Sequence, residues 1–600
     1  MLHFQIMFLS KLKKKLLGFS FKKFKHYSKK IPPIGVDNFR KIVEDKDMLY
    51  VDKTLMIKEL IDDKSEVVLI TRPRRWGKTL NMSMIQHFFA PSVLDKETKG
   101  MFEDYKISKV EDGKYLKDQG KYPVVYITFK DLTTNNFSSF LQRFSIVIQK
   151  LYREHEYILS QINSHEKNSF NKYLNGEMDQ NYLSFSLEFL SEMLYKYSNQ
   201  KRVFILIDEY DTPLQHAYVE DKQKFLEDVT SFMRNLFSST LKNNAYLHKA
   251  ILTGILRIAK ANLFTGVNFE EYTMLDQNYS TSFGYSDLEI KFMLQESDLK
   301  MTSFDSIKQW YNGYKIYQST LYNPWSINKF IKNNGELKLY WINTSQNSLI
   351  KKLITGKSVE IQKDLSTLMS GGFITKTIDE QMTLKNLEKS ESAIWNLFYF
   401  TGYLTTKEVR FNSEKDYVCD LIIPNKEVNA LFKKIVKEWF NDEMGEQKYH
   451  TFIQSLLDED VEKFTNELSD YLIFTSSYYD FGNQEKEKTC HLFFLGLIAN
   501  LNDSHIIHSN KESGLGRYDL MLIPKSKSKH IAFIIEFKQS KKEEELENLA
   551  KKAIKQIDES LYLTEVCQYE HIKSVIKLGL AFKGKQVKSA FEKIDLTDKI

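Results

Sequence analysis

Two acidic residues at the end of an apolar run give the first chemical signal in this sequence. The run is Val203-Phe204-Ile205-Leu206-Ile207, and Asp208 and Glu209 follow it directly. This pattern predicts a buried strand of a parallel sheet that presents both acids at one sheet edge. There Asp208 would hold the hydration shell of a Mg²⁺ ion, and Glu209 would orient and deprotonate an attacking water. The simpler alternative is a strand end whose acids only face solvent.

A second signal is a Gly-Lys-Thr turn between a predicted strand and a predicted helix. The apolar stretch 67–70 precedes the turn, and 80–89 reads as the helix. Amides at such a helix start face a bound phosphate, while the Lys reaches the β- and γ-phosphates and the Thr hydroxyl ligates Mg²⁺. The common phosphate-loop pattern has glycine where this chain has Arg72, so the turn alone leaves the assignment open. The predicted nucleotide-binding residues of this turn are Arg74, Arg75, Gly77, Lys78 and Thr79, with Thr79 and Asp208 as metal ligands.

A third buried strand is predicted over 249–255. Thr253 lies at its polar end, and Arg257 follows soon after. NTPases with an extra strand between the phosphate loop and the acid strand place a polar residue here, beside the γ-phosphate. Thr253 is therefore a predicted nucleotide-sensing residue. Arg257 is a candidate for stabilising phosphate charge, although a surface salt bridge explains it as well.

The C-terminal region contains a second acidic constellation. Asp519 lies on one predicted strand, and Glu536 and Lys538 lie on the next, where their alternate spacing puts both on one face. If the two strands pair as a hairpin, Asp519 comes near Glu536. Two carboxylates and an ammonium at one sheet edge suit metal-dependent phosphodiester cleavage, and Glu487 could add a third acid from a predicted helix. Oxygen ligands without His or Cys favour Mg²⁺ or Mn²⁺ over Zn²⁺; the plain alternative is a rim ion pair.

Length, charge and composition limit the classes of protein to which this chain can belong. At 600 residues the chain predicts about three or four domains. The formal charge of +6 is small for this length and does not itself indicate nucleic acid. Three widely spaced cysteines exclude a disulfide framework, and no apolar stretch is long enough for a membrane helix. These features predict a cytoplasmic protein with a flexible basic arm over 1–30, and they do not indicate an oligomer.

Residues from about 31 to 350 resemble the AAA-ATPase-like domain of a large group of uncharacterised bacterial and fungal proteins. In that family the loop without its first glycine is the usual form, so the resemblance supports a phosphate-binding role despite Arg72. The motifs that carry the resemblance are Tyr50-Val51-Asp52-Lys53-Thr54, Arg72-Pro73-Arg74-Arg75-Trp76-Gly77-Lys78-Thr79, Leu206-Ile207-Asp208-Glu209-Tyr210-Asp211, Trp310-Tyr311-Asn312-Gly313-Tyr314 and Tyr322-Asn323-Pro324-Trp325-Ser326.

Residues 485–582 resemble the PD-(D/E)XK nuclease superfamily, in the branch usually attached to that ATPase-like domain. A helix with Glu487, a strand with Gly-Arg-Tyr-Asp519 and an apolar strand ending in Glu536-Phe537-Lys538 occur in that order. The resemblance implies that Asp519, Glu536 and Lys538 form the catalytic core and that Glu487 is the helix acid. It also implies a supporting role for Gln556 on the following helix.

The sequence thus predicts an α/β protein: a P-loop NTPase of the ASCE, AAA-like type with a parallel sheet, a helical connector with a hairpin that resembles a winged helix, and a C-terminal α/β nuclease-like domain. The predicted boundaries are 1–30, 31–350, 351–480 and 481–600. The favoured function is ATP-controlled, Mg²⁺-dependent cleavage of nucleic acid, with DNA favoured over RNA. The alternative is a nucleotide-dependent switch or scaffold whose C-terminal fold only binds nucleic acid or a protein partner.

Overall fold

A computed structural model provides the structure of the chain. The residues that it describes are 30–220, 222–242, 244–256, 263–264, 266–299, 303–341, 359–369, 371–379, 391–444, 446–474, 501, 504–513, 516–540, 545–559, 562–583 and 586–596.

The N-terminal region is built on a parallel five-stranded sheet. Its strand order is β4-β5-β6-β1-β7, and every neighbouring pair is parallel. The central strands β1, β5 and β6 are buried on both faces, which explains their near-continuous apolar runs. The strands are β1 (Val67–Thr71), β4 (Val124–Thr128), β5 (Val203–Asp208), β6 (Leu247–Gly254) and β7 (Glu270–Tyr272), and two short hairpins are formed by β2 (Ser92–Val93) with β3 (Lys96–Glu97) and by β8 (Tyr314–Ile316) with β9 (Ser319–Leu321).

The strand order confirms the predicted α/β class with its inserted strand. β6 lies between the phosphate-loop strand β1 and the acid strand β5. The carboxyl ends of all three strands therefore meet at the same edge of the sheet. The helices of this region are α1 (Phe39–Glu44), α2 (Leu55–Asp62), α3 (Lys78–Phe89), α4 (Lys106–Lys109), α5 (Phe137–Glu154), α6 (Ser164–Asn175), α7 (Gln180–Leu183), α8 (Ser186–Tyr197), α9 (Thr212–Val219), α10 (Gln223–Leu241), α11 (Asp287–Glu296), α12 (Phe304–Tyr311) and α13 (Pro324–Lys332).

The connecting region continues the same hydrophobic core. One apolar cluster contains buried residues from both regions, from Phe39 to Ile435, and a smaller cluster lies around Ile290 and Tyr311. The predicted hairpin of the connector is present as β11 and β12, a helix covers 391–400, and β10 is a third strand that the sequence analysis missed. The elements are α14 (Val359–Met369), β10 (Ile374–Ile378), α15 (Glu391–Phe400), β11 (Thr405–Phe411), β12 (Tyr417–Ile422) and α16 (Lys426–Met444).

A mixed five-stranded sheet forms the C-terminal region. Its order is β13-β14-β15-β16-β17; β15 and β16 are parallel, and the other neighbours are antiparallel. α19 connects the two parallel strands, and a Cβ on Gly579 of β16 would overlap the carbonyl oxygen of Ala550, so glycine lets this helix lie close to the sheet. The elements are β13 (His505–Ser513), β14 (Gly516–Pro524), β15 (Ile531–Gln539), α19 (Leu546–Glu559), α20 (Leu563–Val566), β16 (Ser574–Lys583) and β17 (Gln586–Asp595).

The opposite face of this sheet is covered by two helices from earlier in the chain, α17 (Glu446–Leu457) and α18 (Val461–Phe474). The hydroxyl of Thr465 donates to that of Ser589 at 2.7 Å, and Lys593 pairs with Glu459 at 2.6 Å. The buried residues of both helices, from Phe452 to Leu468, therefore share a core with the C-terminal sheet. Among the helices that the structure describes, none is both long and apolar enough to cross a membrane.

Candidate functional site

The turn between β1 and α3 has the geometry of a phosphate loop. Gly77 adopts a left-handed conformation with φ of 82°, which glycine permits without strain, and α3 begins at the next residue. Lys78 is almost fully buried, and its Nζ donates to the carbonyl oxygens of Arg72 at 3.3 Å and Pro73 at 3.2 Å. The ammonium therefore folds back over the loop, and the first amides of α3 point out of it.

Asp208 joins three elements at the carboxyl edge of the sheet. Its Oδ2 accepts a hydrogen bond from the Thr79 hydroxyl at 2.8 Å, and its Oδ1 accepts one from the Thr253 hydroxyl at 2.6 Å. Burial and the neighbouring Glu209 carboxylate raise the pKa of Asp208. The structure thus brings together the predicted metal-binding Thr79 and Asp208 and the predicted sensor Thr253.

Glu209 stands at the turn that follows β5, facing the phosphate loop. Its Oε1 lies 3.4 Å from Nζ of Lys78. Its φ is +54°, a left-handed conformation that costs a non-glycine residue about 1 kcal/mol or more. The packing of the turn therefore holds the carboxylate beside the phosphate-binding lysine.

Arg72 has a structural role that explains the missing glycine. Its guanidinium is fully buried, and it donates to the carbonyl oxygens of Thr71, Tyr272, Thr273 and Tyr279 at 2.7 to 3.1 Å. Burial lowers the pKa of Arg72 to about 10. The side chain points away from the loop mouth, and its hydrogen bonds connect β1 with the end of β7 and the segment that follows it.

The two other loop arginines remain near the mouth. The Arg74 guanidinium is half-buried; burial lowers its pKa, and the nearby carboxylates of Glu209 and Asp211 oppose that shift. Arg75 is exposed and lies over the Trp325 ring at 4.3 Å from the ring centre. Arg257, the third predicted arginine, lies outside the described residues.

Asp211 is a buried residue of this site to which the sequence analysis gave no role. Its Oδ2 accepts hydrogen bonds from the backbone amides of Ile255 at 2.9 Å and Leu256 at 2.8 Å. Burial, together with Glu209, raises the pKa of Asp211 to about 6. The carboxylate therefore fixes the chain directly after Thr253. Its only signal in the sequence is its place in the Asp-Glu-Tyr-Asp motif.

The C-terminal hairpin brings the predicted nuclease residues together. Backbone pairing of β14 with β15 runs from Leu522–Phe533 to Leu520–Ile535, and side chains connect the strands beyond that point. The amide of Phe537 donates to Oδ2 of Asp519 at 2.8 Å, and the amide of Asp519 lies 3.4 Å from Oε2 of Glu536. Two carboxylates therefore lie side by side on the face that α19 covers.

Glu536 is the electrostatic centre of this cluster. It is 2% exposed, and burial together with the Asp519 carboxylate raises its pKa to about 8. Lys538 Nζ lies 3.5 Å from Glu536 Oε1, and the side-chain amide of Gln556 donates to the same oxygen. All four predicted residues thus meet, whereas Glu487 lies outside the described residues.

The residues of both clusters fit the divalent metal ions and the phosphate ligand that the sequence predicts. The hydroxyl and carboxylate oxygens of the first cluster and the carboxylate oxygens of the second are ligands that Mg²⁺ and Mn²⁺ prefer. Nε of Arg74 and Oδ1 of Asp211 are buried without hydrogen-bond partners in the described part of the chain, so the mouth of the phosphate loop has polar capacity left for a ligand. Within the described residues, no group of three or more His, Cys, Asp or Glu side chains could hold a metal by itself. A metal would therefore complete its coordination with water or a substrate phosphate.

Comparison with known proteins identifies both regions. Residues 33–264 match the AAA-ATPase-like family model, described as "Predicted AAA-ATPase". Residues 485–592 match the model of the PD-(D/E)XK nuclease superfamily. These matches confirm both resemblances, the first of them over 33–264.

One curated relative is described as "Uncharacterized protein in vnfD 5'region" of Azotobacter chroococcum mcd 1. It is 25% identical over 408 residues, which are 67% of this chain and 69% of that protein. Its description states no activity, so the chemistry of this chain must be argued from the chain's own residues.

Proposed function

We propose that this chain binds and hydrolyses ATP at the β1–α3 turn and uses that cycle to control Mg²⁺-dependent cleavage of nucleic acid by its C-terminal domain. The observation that carries the proposal is the presence, in one chain, of two assembled acidic clusters. Asp208 is bound by Thr79 and Thr253, and Glu536 is bound by Lys538 and Gln556.

In the ATP site, the protein groups are arranged for phosphate binding and for proton removal. Lys78 would exchange its two loop carbonyls for phosphate oxygens, which would also weaken its ion pair with Glu209. Glu209 would then be free to take a proton from the attacking water. Thr253 keeps the Asp208 carboxylate in place while this happens.

In the nuclease site, the carboxylates of Asp519 and Glu536 would hold one or two Mg²⁺ or Mn²⁺ ions. A bound divalent cation would supply Lewis acidity and lower the pKa of a coordinated water. Lys538 would orient the nucleophile, and Gln556 would hold Glu536 in its rotamer. DNA is the favoured substrate, and RNA is the alternative.

The experiment that tests the proposal is a cleavage assay of the purified full chain with Mg²⁺, supercoiled plasmid and, in parallel, single-stranded RNA, with and without ATP. Wild-type cleavage should be lost in Lys538→Ala and should lose its ATP dependence in Lys78→Ala. Lys552→Ala, which removes an exposed lysine from α19, is the matched control and should cleave like wild type. Cleavage that survives Lys538→Ala would contradict the nuclease assignment.

Phosphate release measured in parallel separates the proposal from the switch and scaffold alternatives. Removing the base with Glu209→Gln should slow ATP turnover by about 10²- to 10⁴-fold, the usual contribution of a general base. If wild type releases no more phosphate than Glu209→Gln, the nucleotide is only bound. If ATP turns over without cleavage of either nucleic acid, the C-terminal fold acts only in binding.

A further inference from the structure

The phosphate loop is contacted by residues that lie beyond the segment matching the ATPase family model. Four consecutive loop residues, 73–76, each contact a residue from beyond position 300. The contacts are Pro73 with Gly402, Arg74 with Trp341, Arg75 with Trp325 and Trp76 with Tyr314. The loop therefore packs against β8, α13, Trp341 and the turn before β11.

These contacts are close enough to be specific. The indole N–H of Trp341 donates to the backbone carbonyl of Arg74 at 3.4 Å. Gly402 has a φ of 84°, and a Cβ there would lie 2.9 Å from Cβ of Pro73, so only glycine fits against the loop. The Trp341 ring also packs on Tyr403, 4.9 Å between ring centres.

A single buried carboxylate fixes the two chain segments whose tryptophan rings contact the loop arginines. Glu427 is fully buried and accepts hydrogen bonds from the backbone amides of Tyr340 at 2.6 Å and Trp341 at 2.7 Å. Its second oxygen accepts the hydroxyl of Ser326 at 2.7 Å, the residue after Trp325. The indole of Trp325 in turn donates to the carbonyl of Tyr340 at 3.0 Å.

Glu427 also lies in the first turn of α16, where a negative charge is favourable. α16 leads along the chain to α17 and α18, which share the core of the C-terminal sheet. Glu427 therefore connects the tryptophan segments that contact the phosphate loop with α16, the helix that leads to the proposed nuclease domain.

We propose that Glu427 is a positioning residue of the nucleotide site, which acts through Trp341 and Trp325 to set where Arg74 and Arg75 stand when ATP binds. The inference rests on the proposed function, because it presumes that ATP occupies the loop. Without Glu427, segment 340–341 loses its anchor, and the carbonyl of Arg74 loses its fixed donor. The loop arginines then meet the phosphates less well, and a change in the loop is no longer passed to α16.

The test measures ATP binding to the full chain by equilibrium dialysis, together with steady-state hydrolysis. Trp341→Phe is the sharpest variant, because it keeps an aromatic ring near Tyr403 while it removes the N–H that binds the Arg74 carbonyl, together with one ring of the buried indole. We expect the Kd for ATP to rise about threefold in Trp341→Phe and about tenfold in Glu427→Ala, with KM rising more than kcat falls. Glu427→Gln, which keeps one acceptor oxygen, should be intermediate. Glu414→Ala, an exposed acid in the turn between β11 and β12, is the control and should bind ATP like wild type.

Hydrogen exchange supplies the second measurement. Adding ATP should change the exchange of α16 amides in wild type, and this response should be much smaller in Trp341→Phe. Trp341→Phe that binds ATP as tightly as wild type and keeps the exchange response would overturn this inference alone. A wild-type chain that binds no ATP would overturn both this inference and the proposed function.

Discussion

The two acidic clusters of this chain balance their charges in different ways. At the phosphate loop, both oxygens of Asp208 accept hydroxyl hydrogen bonds, and Glu209 faces the ammonium of Lys78. In the C-terminal sheet, Asp519 and Glu536 lie beside each other, and the pKa of Glu536 rises to about 8. Like charges lie close together in both clusters, because the Glu209 carboxylate also raises the pKa of Asp208. The difference is that two hydroxyl groups satisfy both oxygens of Asp208, whereas the second cluster is centred on the carboxylate pair itself.

This difference indicates how strongly the stability of each site depends on its ligand. A carboxylate pair in a low-dielectric environment favours a proton or a metal ion between its members. Satisfied hydrogen bonds, in contrast, stabilise the ligand-free fold. We therefore expect the phosphate-loop cluster to support the stability of its domain without ligand, and the C-terminal cluster to cost stability until a cation binds.

The largest expected effect comes from Arg72→Gly, which restores the glycine of the common phosphate loop. The change removes the donor of four buried carbonyls and leaves a cavity, so we expect the domain to lose about 4 kcal/mol. Urea unfolding followed by tryptophan fluorescence measures this loss. Arg75→Gly, at an exposed position of the same loop, is the control. A loss below about 0.5 kcal/mol, the typical effect of a surface change, would show that Arg72 does not anchor the first cluster.

The next prediction concerns pH and the buried Glu427 behind the phosphate loop. Burial raises its pKa from the ordinary 4.5 to about 7, so between these values the folded chain keeps a proton that the unfolded chain releases. Its contribution to stability is therefore complete below pH 4.5 and is lost as the pH rises through 7, by on the order of 3 kcal/mol. Urea unfolding at pH 5 and pH 7.5 should show this loss in wild type and a smaller loss in Glu427→Gln. Equal pH dependence in the two proteins would contradict it.

The effect of metal binding on stability distinguishes the two clusters directly. Because the Asp519–Glu536 pair concentrates negative charge, Mg²⁺ or Mn²⁺ without nucleotide should stabilise the C-terminal domain, by about 2.7 kcal/mol at a hundred times the Kd. Thermal unfolding with and without metal measures the effect. Asp519→Asn should abolish it, while Asp208→Asn should leave it intact. A metal response that needs Asp208 instead would reverse the comparison.

The smallest and most discriminating pair of changes removes one charge from each cluster in metal-free buffer. At a pH above 8, where Glu536 has lost its proton, Glu536→Gln relieves like-charge repulsion and should slow hydrogen exchange in β15, corresponding to about 1 kcal/mol of added stability. Asp208→Asn removes an acceptor from a buried hydroxyl and should speed exchange in β5, by about 1 to 2 kcal/mol. Exchange that changes in the same direction at both sites would mean that the clusters are balanced alike.

Much of the site could be predicted from the sequence because its signals are local. An apolar run that ends in two acids fixed the end of β5, and a strand-turn-helix pattern fixed the start of α3 within two residues. The spacing of Glu536 and Lys538 placed both on one face of β15. These inferences need only the periodicity of a strand and the position at which an apolar run stops.

The failures share a physical cause. β10 and β17 are largely polar on their exposed faces, and their pairing with β12 and β16 decided their conformation. The stretch 181–197 has the apolar spacing of one helix, but the structure divides it into α7 and α8 at 184–185. The roles of Arg72 and Glu427 depend on backbone groups that are far away in the sequence, which no local pattern reveals.

The sequence by itself indicated the fold class, the resemblance of each region to a family and the residue types of both clusters, because buried strands and their terminal acids leave a local pattern. Only the tertiary structure decided how the charges are balanced. Thr79 and Thr253 reach Asp208 from elements 129 and 45 residues away, while Gln556 reaches Glu536 from a helix 20 residues further on. The pKa of a carboxylate depends on what surrounds it after folding, and the chain brings those groups together only when its sheets form.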